Sequence, residues 1–470
     1  VRILANGSLH QTAMDMNADT VDTDGRLPIL SGYRIPYRTL GRPIRKALVL
    51  GAGTGNDVAT LLAEGAQEVH AVEIDPLIVE LGREVHPNDP YGDPRVTVFN
   101  TDARSYLNES TERYDLVVFG TLDSMTRLSA LSNVRLDNFV YTRESLAAAR
   151  DHLTEDGGLV MYFMVGEEYI YEHLAGLLAV TFQELPGLEI GPYGLFNTIF
   201  MAGPAFAHVT SPLSPETLAA DPGNVEGFVP TDDWPYLYLP TPGITSFYWI
   251  MIALLAGTSV LLLAGASPGF RSALVGRGHV DVEMFLYGFA FLLIETKLVT
   301  GMGLLWGSTW LTSAVVFGSI LIMVLAGTLW VDRRPIRWET AGVGLIAALA
   351  ITYVVPVHLL LTDSVALRLG LSILYAGLPI LFASICFAAR FSVRRDADLA
   401  FGWNLLGAVF GGLAEFFSMA LGFKTMTLVA VVVYLGAFVF GRRSDGDSVS
   451  AEGGGAMEAT GPIGAGEAAG

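Results

Sequence analysis

Short, continuously apolar runs alternate with amphipathic stretches between residues 46 and 203. The apolar runs predict buried strands, and they read KALVLGAG, EVHAVEID, RVTVFN, YDLVVFG and GGLVMYFMV. The stretches DVATLLAEGA, PLIVELGREV and RESLAAARDHL predict helices between them. Strands that are apolar throughout and separated by helices indicate a parallel sheet that is covered on both faces. The pattern therefore predicts an α/β, Rossmann-like domain.

The pattern changes on both sides of this segment. Residues 1–45 predict a small β-rich lead-in with turn signals at Asn6-Gly7 and Asp24-Gly25. Residues 204–242 are polar and rich in proline, which is typical of a connector. We therefore expect a lead-in over residues 1–45 and a domain with its connector over residues 46–242.

The second half of the chain consists mainly of long apolar stretches. A helix needs about 20 apolar residues to cross a hydrocarbon core of about 30 Å. These stretches predict an all-α polytopic membrane domain of about seven helices over residues 243–441. The apolar stretches are 246–266, 281–305, 309–331, 340–361, 367–389, 399–421 and 424–441. Residues 442–470 are rich in glycine and alanine and predict a disordered tail.

Almost all of the net charge of −19 lies in residues 1–242. Such an acidic domain argues against a nucleic-acid partner, which requires a basic surface. The acidity has two possible explanations. One is a cationic partner such as a polyamine. The other is a salt-adapted or GC-rich source organism, in which lysine is rare, and only three lysines occur in this chain (Lys46, Lys297 and Lys424). We expect an integral protein of the plasma membrane whose first half is cytoplasmic. The alternation of arginines between the apolar stretches instead favours an outside location.

No metal site is predicted. His10, His86 and His152 do not have the spacing of metal ligands. The single cysteine, Cys386, lies inside an apolar stretch and cannot form a disulfide within one chain.

Three signals at successive strand ends predict a nucleotide site. Gly51, Gly53 and Gly55 follow the first strand and allow the backbone to turn tightly and approach a ligand. Glu73 ends the second strand, where a carboxylate can accept hydrogen bonds from both ribose hydroxyls. These two signals leave NAD and S-adenosylmethionine (AdoMet) open. Asp102 follows the third strand, where it can accept a hydrogen bond from an adenine amino group, and its presence favours an AdoMet-dependent transferase.

Several segments of the chain resemble those of a known family. The segments NGSLHQT, GYRIPY, VEIDP, NTDAR and FVYTRESLAAARDHLTEDGG resemble the spermidine/spermine synthase family, the polyamine aminopropyltransferases. The chain is most similar to a membrane-attached branch of that family, with which it shares GAGTGND, LDS, RLDNFVYT, DDWPYLY, LLIETK and GSTW. The resemblance covers nearly everything except the tail.

The resemblance implies roles for further residues. It places Gln11 at the cofactor, which would be AdoMet or its decarboxylated form, and Tyr33 at the substrate. Asp123 corresponds to the family's carboxylate that anchors the diamine, and we predict it as a catalytic and substrate-contacting residue. Asp232 and Asp233, in DDWPYLY, are expected at the substrate as well and are candidates for a replacement base.

Two positions depart from the family pattern. Soluble spermidine synthases have an aspartate in the glycine loop where this chain has Thr54, and a first catalytic-loop aspartate where it has Gly120. A carboxylate that takes the proton of the attacking amine contributes about 10²–10⁴-fold to the rate. The loss of this carboxylate at position 120 puts aminopropyl transfer in question. Thr54 bears on the donor: an aspartate in the glycine loop would repel the carboxylate of ordinary AdoMet, whereas a threonine does not. Thr54 therefore weakens the case for a decarboxylated donor.

The apolar half contains ionisable groups at membrane depth. Such groups are costly and usually face a bundle interior or a cavity. Glu295 and Lys297 lie in one stretch, Asn404 and Glu415 share a face in another, and glycines at 407 and 411 suit close helix packing. They predict either a polar membrane site for a cationic or lipid-like substrate or a structural lock between helices.

Three functions remain open from the sequence. The first is a membrane-bound aminopropyltransferase that acts on a polyamine-type amine. The second is an AdoMet-dependent methyltransferase that acts on a membrane-associated substrate. The third is a non-enzymatic transporter or sensor that binds a polyamine or a nucleotide. A small amine or lipid-like substrate and the bilayer are the expected partners, and the sequence leaves a homodimer open.

Overall fold

The structure is a computed structural model, and it describes residues 1–5, 8–16, 27–122, 136–211, 229–307, 310–333, 337–362 and 364–457. Within these residues the chain forms an N-terminal hairpin, a sheet covered by helices, and a bundle of apolar helices.

The predicted sheet is present and is mostly parallel. Seven strands of the described chain pair in the order β5-β4-β3-β6-β7-β9-β8. They are β3 (Lys46–Leu50), β4 (Glu68–Glu73), β5 (Val96–Asn100), β6 (Tyr114–Phe119), β7 (Leu153–Phe163), β8 (Gly187–Ile190) and β9 (Thr198–Ala202). The pairs among β3 to β7 are parallel, whereas β9 is antiparallel to both β7 and β8. The strand order reverses between β3 and β6, where open α/β sheets bind their ligands.

Helices cover both faces of this sheet. They are α2 (Asn56–Ala63), α3 (Pro76–Val85), α4 (Ala103–Glu109), α5 (Arg143–Asp151) and α6 (Glu168–Phe182). Two separate clusters of buried apolar side chains lie on the two faces. The fold is therefore the Rossmann-like α/β architecture that the alternating pattern predicts.

The lead-in is only partly β. Strands β1 (Arg2–Ala5) and β2 (Ser8–Thr12) form an antiparallel hairpin, but a helix, α1 (Leu27–Leu40), follows them. The helix forms because Leu30, Tyr33, Tyr37 and Leu40 recur at helical spacing and are all buried against the sheet. The expectation of a β-rich segment missed this helix.

The apolar half is helical, as predicted. Its helices are α7 (Ser246–Ala266), α8 (Pro268–Leu274), α9 (Val282–Trp306), α10 (Trp310–Arg333), α11 (Trp338–Val354), α12 (Val365–Phe391), α13 (Ala397–Ala414), α14 (Ser418–Leu421) and α15 (Phe423–Met457). Six spans among the described residues are long and apolar enough to cross a membrane, and α11 is a shorter apolar helix. The backbone of α15 continues as a helix into the segment predicted as a tail.

Glycines bring α9 and α13 into close contact. A Cβ on Gly407 would overlap the carbonyl oxygen of Phe285, and a Cβ on Gly411 would overlap that of Phe289. On α9, a Cβ on Gly288 would overlap the carbonyl oxygen of Asn404 in the same way. Small residues that let helix backbones approach are the usual basis of tight packing in membranes.

We expect Gly407→Val to destabilise the helix bundle by at least about 1–3 kcal/mol, because the added side chain forces α9 and α13 apart. Gly402→Val is the matched control, since it lies on the same helix and a Cβ there meets nothing within 4 Å. The measurement is thermal unfolding of both variants in the same detergent. Equal melting temperatures would show that the close approach contributes nothing to stability.

The two halves of the chain pack directly on each other. A separate cluster of buried side chains joins them and consists of Phe139, Tyr236, Leu239, Tyr248, Met419 and Phe423. Trp234 Nε1 donates to the carbonyl oxygen of Met419 at 2.7 Å, and the hydroxyls of Tyr236 and Ser418 lie 2.5 Å apart. The DDWPYLY connector is therefore an interface element that attaches the α/β domain to α14 and to the beginning of α15.

Candidate functional site

The glycine loop turns at the carboxyl end of β3. Gly51, Gly53 and Gly55 have φ values of 72°, 57° and 103°, which favour glycine. The backbone N–H groups of Gly51 and Ala52 both donate to the carbonyl oxygen of Val72, at 2.9 and 3.0 Å. The loop is thus held against the end of β4 before α2 begins.

Glu73 contacts this loop from the end of β4. Its Oε2 accepts a hydrogen bond from the backbone N–H of Gly53 at 2.8 Å, and its Oε1 accepts one from Asp75 at 3.0 Å. The side chain is buried. The predicted ribose carboxylate is therefore fixed beside the glycine loop with defined geometry.

Two other side chains lie over the glycines. Gln11 Oε1 accepts from the N–H of Thr54 at 2.8 Å, and the Gln11 amide occupies the space that a Cβ on Gly53 would need. Leu122 fills the corresponding space over Gly51. The loop is thus lined by a polar side chain from the hairpin and an apolar one from the segment after β6.

Asp102 follows β5, the strand next to β4, and begins helix α4. Its Oδ1 accepts hydrogen bonds from the backbone N–H groups of Arg104 and Ser105, at 2.9 and 3.0 Å. The turn after α9 lies against it, because a Cβ on Gly307 would be 2.6 Å from Asp102 Cβ. The membrane half therefore contacts the predicted adenine side of the site.

Position 120, where the family pattern has a carboxylate, has no room for a side chain. A Cβ on Gly120 would lie 2.7 Å from the carbonyl oxygen of Gly51 and 3.3 Å from that of Leu50. Asp123, the predicted catalytic and anchoring residue, lies outside the described residues. Its role stays a prediction.

A buried carboxylate that the sequence did not single out lies beside Gly120. Asp57 is the second residue of α2 and is 4% exposed, and its Oδ2 is 3.4 Å from where a Gly120 Cβ would be. Its Oδ1 has no hydrogen-bond partner among the described residues. Burial raises the pKa of Asp57 to about 7. An aspartate on the sheet-facing side of a short helix is the signal that could have drawn attention to it.

Tyr33 lies on α1 and is buried near this carboxylate. Its ring packs against Tyr162 at 5.4 Å and Phe196 at 5.1 Å between centroids. Burial, together with the nearby Asp57 carboxylate, raises the pKa of Tyr33 well above its usual value. Of the residues predicted at the substrate, Tyr33 is thus the one that the structure places next to Asp57.

Asp232 and Asp233 lie at the junction with the membrane half. Asp232 Oδ2 accepts from Arg104 Nη2 at 2.9 Å, and its Oδ1 accepts from Thr142 Oγ1 at 2.7 Å. Asp233 Oδ1 accepts from the backbone N–H of Lys424 at 2.6 Å. Asp232 is therefore engaged within the α/β half, whereas Asp233 joins the connector to α15 of the membrane half.

A cavity of about 290 Å³ lies at this junction. Asp232 and Asp233 line it from the α/β half, and Lys297 and Lys424 line it from the membrane half. Its remaining walls are mainly apolar and come from the segment 352–357 and neighbouring helices. Residues predicted for two separate sites, Asp232, Asp233 and Lys297, therefore share one cavity.

The polar residues predicted as a membrane site lie on α9 or contact it from the segment 404–415. Lys297 Nζ donates to Thr427 Oγ1 at 2.5 Å, and Glu295 is half-buried two residues earlier. Thr300 Oγ1 donates to Glu415 Oε1 at 3.5 Å, whereas Asn404 Nδ2 donates to the carbonyl oxygen of Met284 at 3.1 Å. Asn404 and Glu415 are about 16 Å apart along the helix axis, which places them at different levels of the bundle.

No group of three metal-ligating side chains is found among the residues that the structure describes. His86, one of the three histidines considered, hydrogen-bonds Asn56 at 3.1 Å, and burial lowers its pKa to about 4. His152 contacts the carbonyl oxygens of Glu112 and Leu107 at 2.7 and 2.8 Å. Both imidazoles therefore take part in structural contacts.

Residues 36–175 match the family model described as "Spermine/spermidine synthase domain". This part of the chain is therefore similar to the spermine/spermidine synthase domain. The matched segment includes the glycine loop, Asp57, Glu73 and Asp102, whereas Gln11 and Tyr33 precede it and Asp232 follows it.

Curated relatives match the spermine/spermidine synthase domain at low identity. Polyamine aminopropyltransferase 2 of Aquifex aeolicus is 32% identical over 118 residues, which are 24% of this chain and 22% of the relative. Polyamine aminopropyltransferases of Thermoplasma volcanium and Clostridium perfringens are 33% and 32% identical over 19% and 25% of this chain, and over 33% and 39% of their own lengths. The chain thus spans well under half the length of these relatives.

Solved structures are similar to part of the chain. Spermidine synthase from Thermotoga maritima has 17% sequence identity and a TM-score of 0.32, with 39% of this chain and 62% of that chain covered. Human methyltransferase-like protein 13 in complex with SAH has 20% identity and a TM-score of 0.27, with 43% and 88% covered.

Proposed function

We propose that this chain is a membrane-bound AdoMet-type transferase that moves an aminopropyl group from decarboxylated AdoMet to a polyamine-type amine. The observation that carries the proposal is the hydrogen bond from Gly53 N–H to Glu73 Oε2 at 2.8 Å, since it fixes a carboxylate beside a glycine loop at the switch point of the sheet. The spermine/spermidine synthase domain over residues 36–175 supports the choice of reaction.

The residues present fit an adenosine-bearing donor. The glycines let Leu122 and Gln11 approach the loop backbone closely, and Glu73 and Asp102 lie at the ends of neighbouring strands beside this loop. Glu73 would hold the ribose, Asp102 the adenine, and Gln11 the loop itself. The donor, when bound, supplies a carbon activated by an adjacent sulfonium.

The acceptor would be a small amine. The acidic first half of the chain favours cations at its surface, and Tyr33 and Asp123 are the proposed substrate contacts. Asp232 and Asp233 are engaged at the junction, which makes them poor candidates for the base. We place the domain on the cytoplasmic side of the plasma membrane, where the donor is made.

A second candidate is methyl transfer from ordinary AdoMet to a membrane-associated substrate. Thr54 in place of the loop aspartate favours it, because a threonine does not repel the donor's carboxylate. The junction cavity, with Lys297 and Lys424 beside apolar walls, also suits an amphiphilic acceptor.

Binding and product analysis separate the two candidates. We expect calorimetry on the detergent-solubilised full chain to give at least about tenfold tighter binding of decarboxylated AdoMet than of AdoMet, a difference of about 1.4 kcal/mol. Mass spectrometry after incubation with putrescine or agmatine should then show an added aminopropyl group. Tighter binding of AdoMet with an added methyl group on an amine or a lipid would contradict aminopropyl transfer and support the second candidate.

A further inference from the structure

Asp57 places a carboxylate at the point where the catalytic loop has none. Gly120 directly follows β6, and the position of its missing Cβ faces the glycine loop and lies 3.4 Å from Asp57 Oδ2. Asp57 reaches this point from α2, on the other side of the crevice between β3 and β6. The crevice therefore has an acid group although the strand end that would normally supply it does not.

The surroundings of Asp57 are not those of a structural aspartate. Buried polar atoms almost always have hydrogen-bond partners, and an unpartnered one is costly to keep. Asp57 Oδ1 has none among the described residues, and no described cation lies within ion-pair distance of Asp57. An uncompensated carboxylate at a ligand crevice is a reason to look for a function.

The titratable groups that face Asp57 are tyrosines. Tyr33 and Tyr37 come from α1, Tyr162 from β7 and Tyr91 from the turn after α3, and the charge of Asp57 helps to raise the pKa of all four beyond the effect of burial. None of them supplies a positive charge. The pKa of Asp57 is therefore set by burial at about 7, a value suited to a base that works near neutral pH.

We infer that Asp57 is the general base of the transfer reaction and replaces the carboxylate that is missing at position 120. The inference rests on the proposed function. The acceptor ammonium loses one proton to the Asp57 carboxylate, and the nitrogen lone pair then forms a bond to the donor carbon. The carbon–sulfur bond breaks, its electron pair stays on sulfur, and a neutral thioether leaves.

The other described carboxylates near the crevice are already engaged. Both oxygens of Glu73 accept hydrogen bonds from backbone N–H groups, and Asp102 caps α4. Asp232 pairs with Arg104. Asp57 thus differs from these three in having an oxygen, Oδ1, that accepts no hydrogen bond from any described residue and can therefore accept a proton.

The kinetic test compares Asp57→Asn and Asp57→Glu with the wild type. We expect Asp57→Asn to lower kcat by about 10²–10⁴-fold while the donor Kd changes less than about threefold, because the base acts in the transition state. The wild-type rate should decrease as the pH is lowered below 7, because Asp57 becomes protonated. The residual activity of Asp57→Asn should not show this decrease. Asp57→Glu should restore part of the rate. Asp93→Asn, at an exposed pair with Arg95, is the control.

A second readout uses the ligand-free protein. Since the pKa of Asp57 is raised on folding, folding favours the protonated form, and stability falls as the pH rises from about 4 toward and through 7. The melting temperature of Asp57→Asn should not decrease with pH in this way, and at pH 8 it should exceed that of the wild type. Infrared spectra should show a protonated carboxyl band that disappears near pH 7 in the wild type and is absent in Asp57→Asn.

The outcomes distinguish this inference from the proposed function. If the wild type is active and Asp57→Asn retains its kcat and its acidic limb, Asp57 is not the base although the transferase proposal stands. If the wild type binds neither donor, or binds one without turnover of any amine, the proposed function fails and takes the inference with it.

Discussion

Glu283→Ala is expected to lower the free energy of unfolding by about 3–5 kcal/mol, because it leaves buried guanidinium groups without their counter-ion. Glu283 Oε1 accepts from Arg390 Nε at 2.6 Å and its Oε2 from Arg390 Nη2 at 3.0 Å, and Arg394 contacts the same carboxylate. The side chains of Glu283 and Arg390 are 3% and 4% exposed. The measurement is denaturant or thermal unfolding in detergent.

The cluster also joins several helices, which adds to the expected loss. Arg390, on α12, donates to the carbonyl oxygen of Gly441 on α15 at 3.0 Å, and its guanidinium lies 5.1 Å from the ring centre of Trp338 on α11. Glu283 itself begins α9. Removing this one carboxylate therefore disturbs contacts among four helices.

Glu339→Ala is the control for this prediction. Glu339 pairs with Arg337 at 3.6 Å, and the Arg337 side chain is 83% exposed. Exposed pairs contribute about 0–1 kcal/mol, so this variant should unfold almost as the wild type does. A similar loss in both variants would mean that burial of the Glu283 cluster does not determine its contribution.

Glu73→Gln is expected to weaken donor binding by about 10–100-fold, since hydrogen bonds to a charged group contribute about 1.5–3 kcal/mol. The glutamine keeps one oxygen for Gly53 N–H but replaces the other acceptor by an amide donor, which conflicts with the N–H of Asp75. The measurement is calorimetry with decarboxylated AdoMet on the full chain.

Glu68→Gln serves as the control on the same strand. Glu68 lies at the opposite end of β4, is 47% exposed and pairs with Lys46 at 2.9 Å. We expect its donor affinity to stay within about twofold of the wild type, since it cannot reach the glycine loop. Unchanged affinity in Glu73→Gln as well would remove Glu73 from the proposed ribose contacts.

The sheet could be predicted from the sequence because its strands are apolar on both faces. A run such as LVVF before Gly120 has few alternatives to a buried strand, and its neighbours along the chain repeat the pattern. Helix α1 was missed because its four buried residues are interrupted by Gly32 and Pro36, which weaken a helix signal. The antiparallel hairpin of β8 and β9 has short strands, which give a weak signal of their own.

The residues of the site could be predicted only where the order of strands and helices along the chain determines their positions. Glu73 and Asp102 end adjacent parallel strands, so the order of elements alone places them at one edge of the sheet. Asp57 could not be found in this way, since its importance depends on contact with Gly120, which is distant in sequence. The same holds for the cavity that brings Asp232 to Lys297.

The contact between Gly307 and Asp102 would connect lipid composition to the proposed nucleotide cleft. A spanning helix tilts when the hydrocarbon layer becomes thinner, and its end moves with it. Gly307, at the end of α9, contacts Asp102, the N-cap residue of α4. A change in the tilt of α9 would therefore move the residue that is proposed to bind the adenine. If the chain is the membrane-bound transferase proposed above, bilayer thickness would affect its affinity for the donor, an influence that does not act on transferases in free solution.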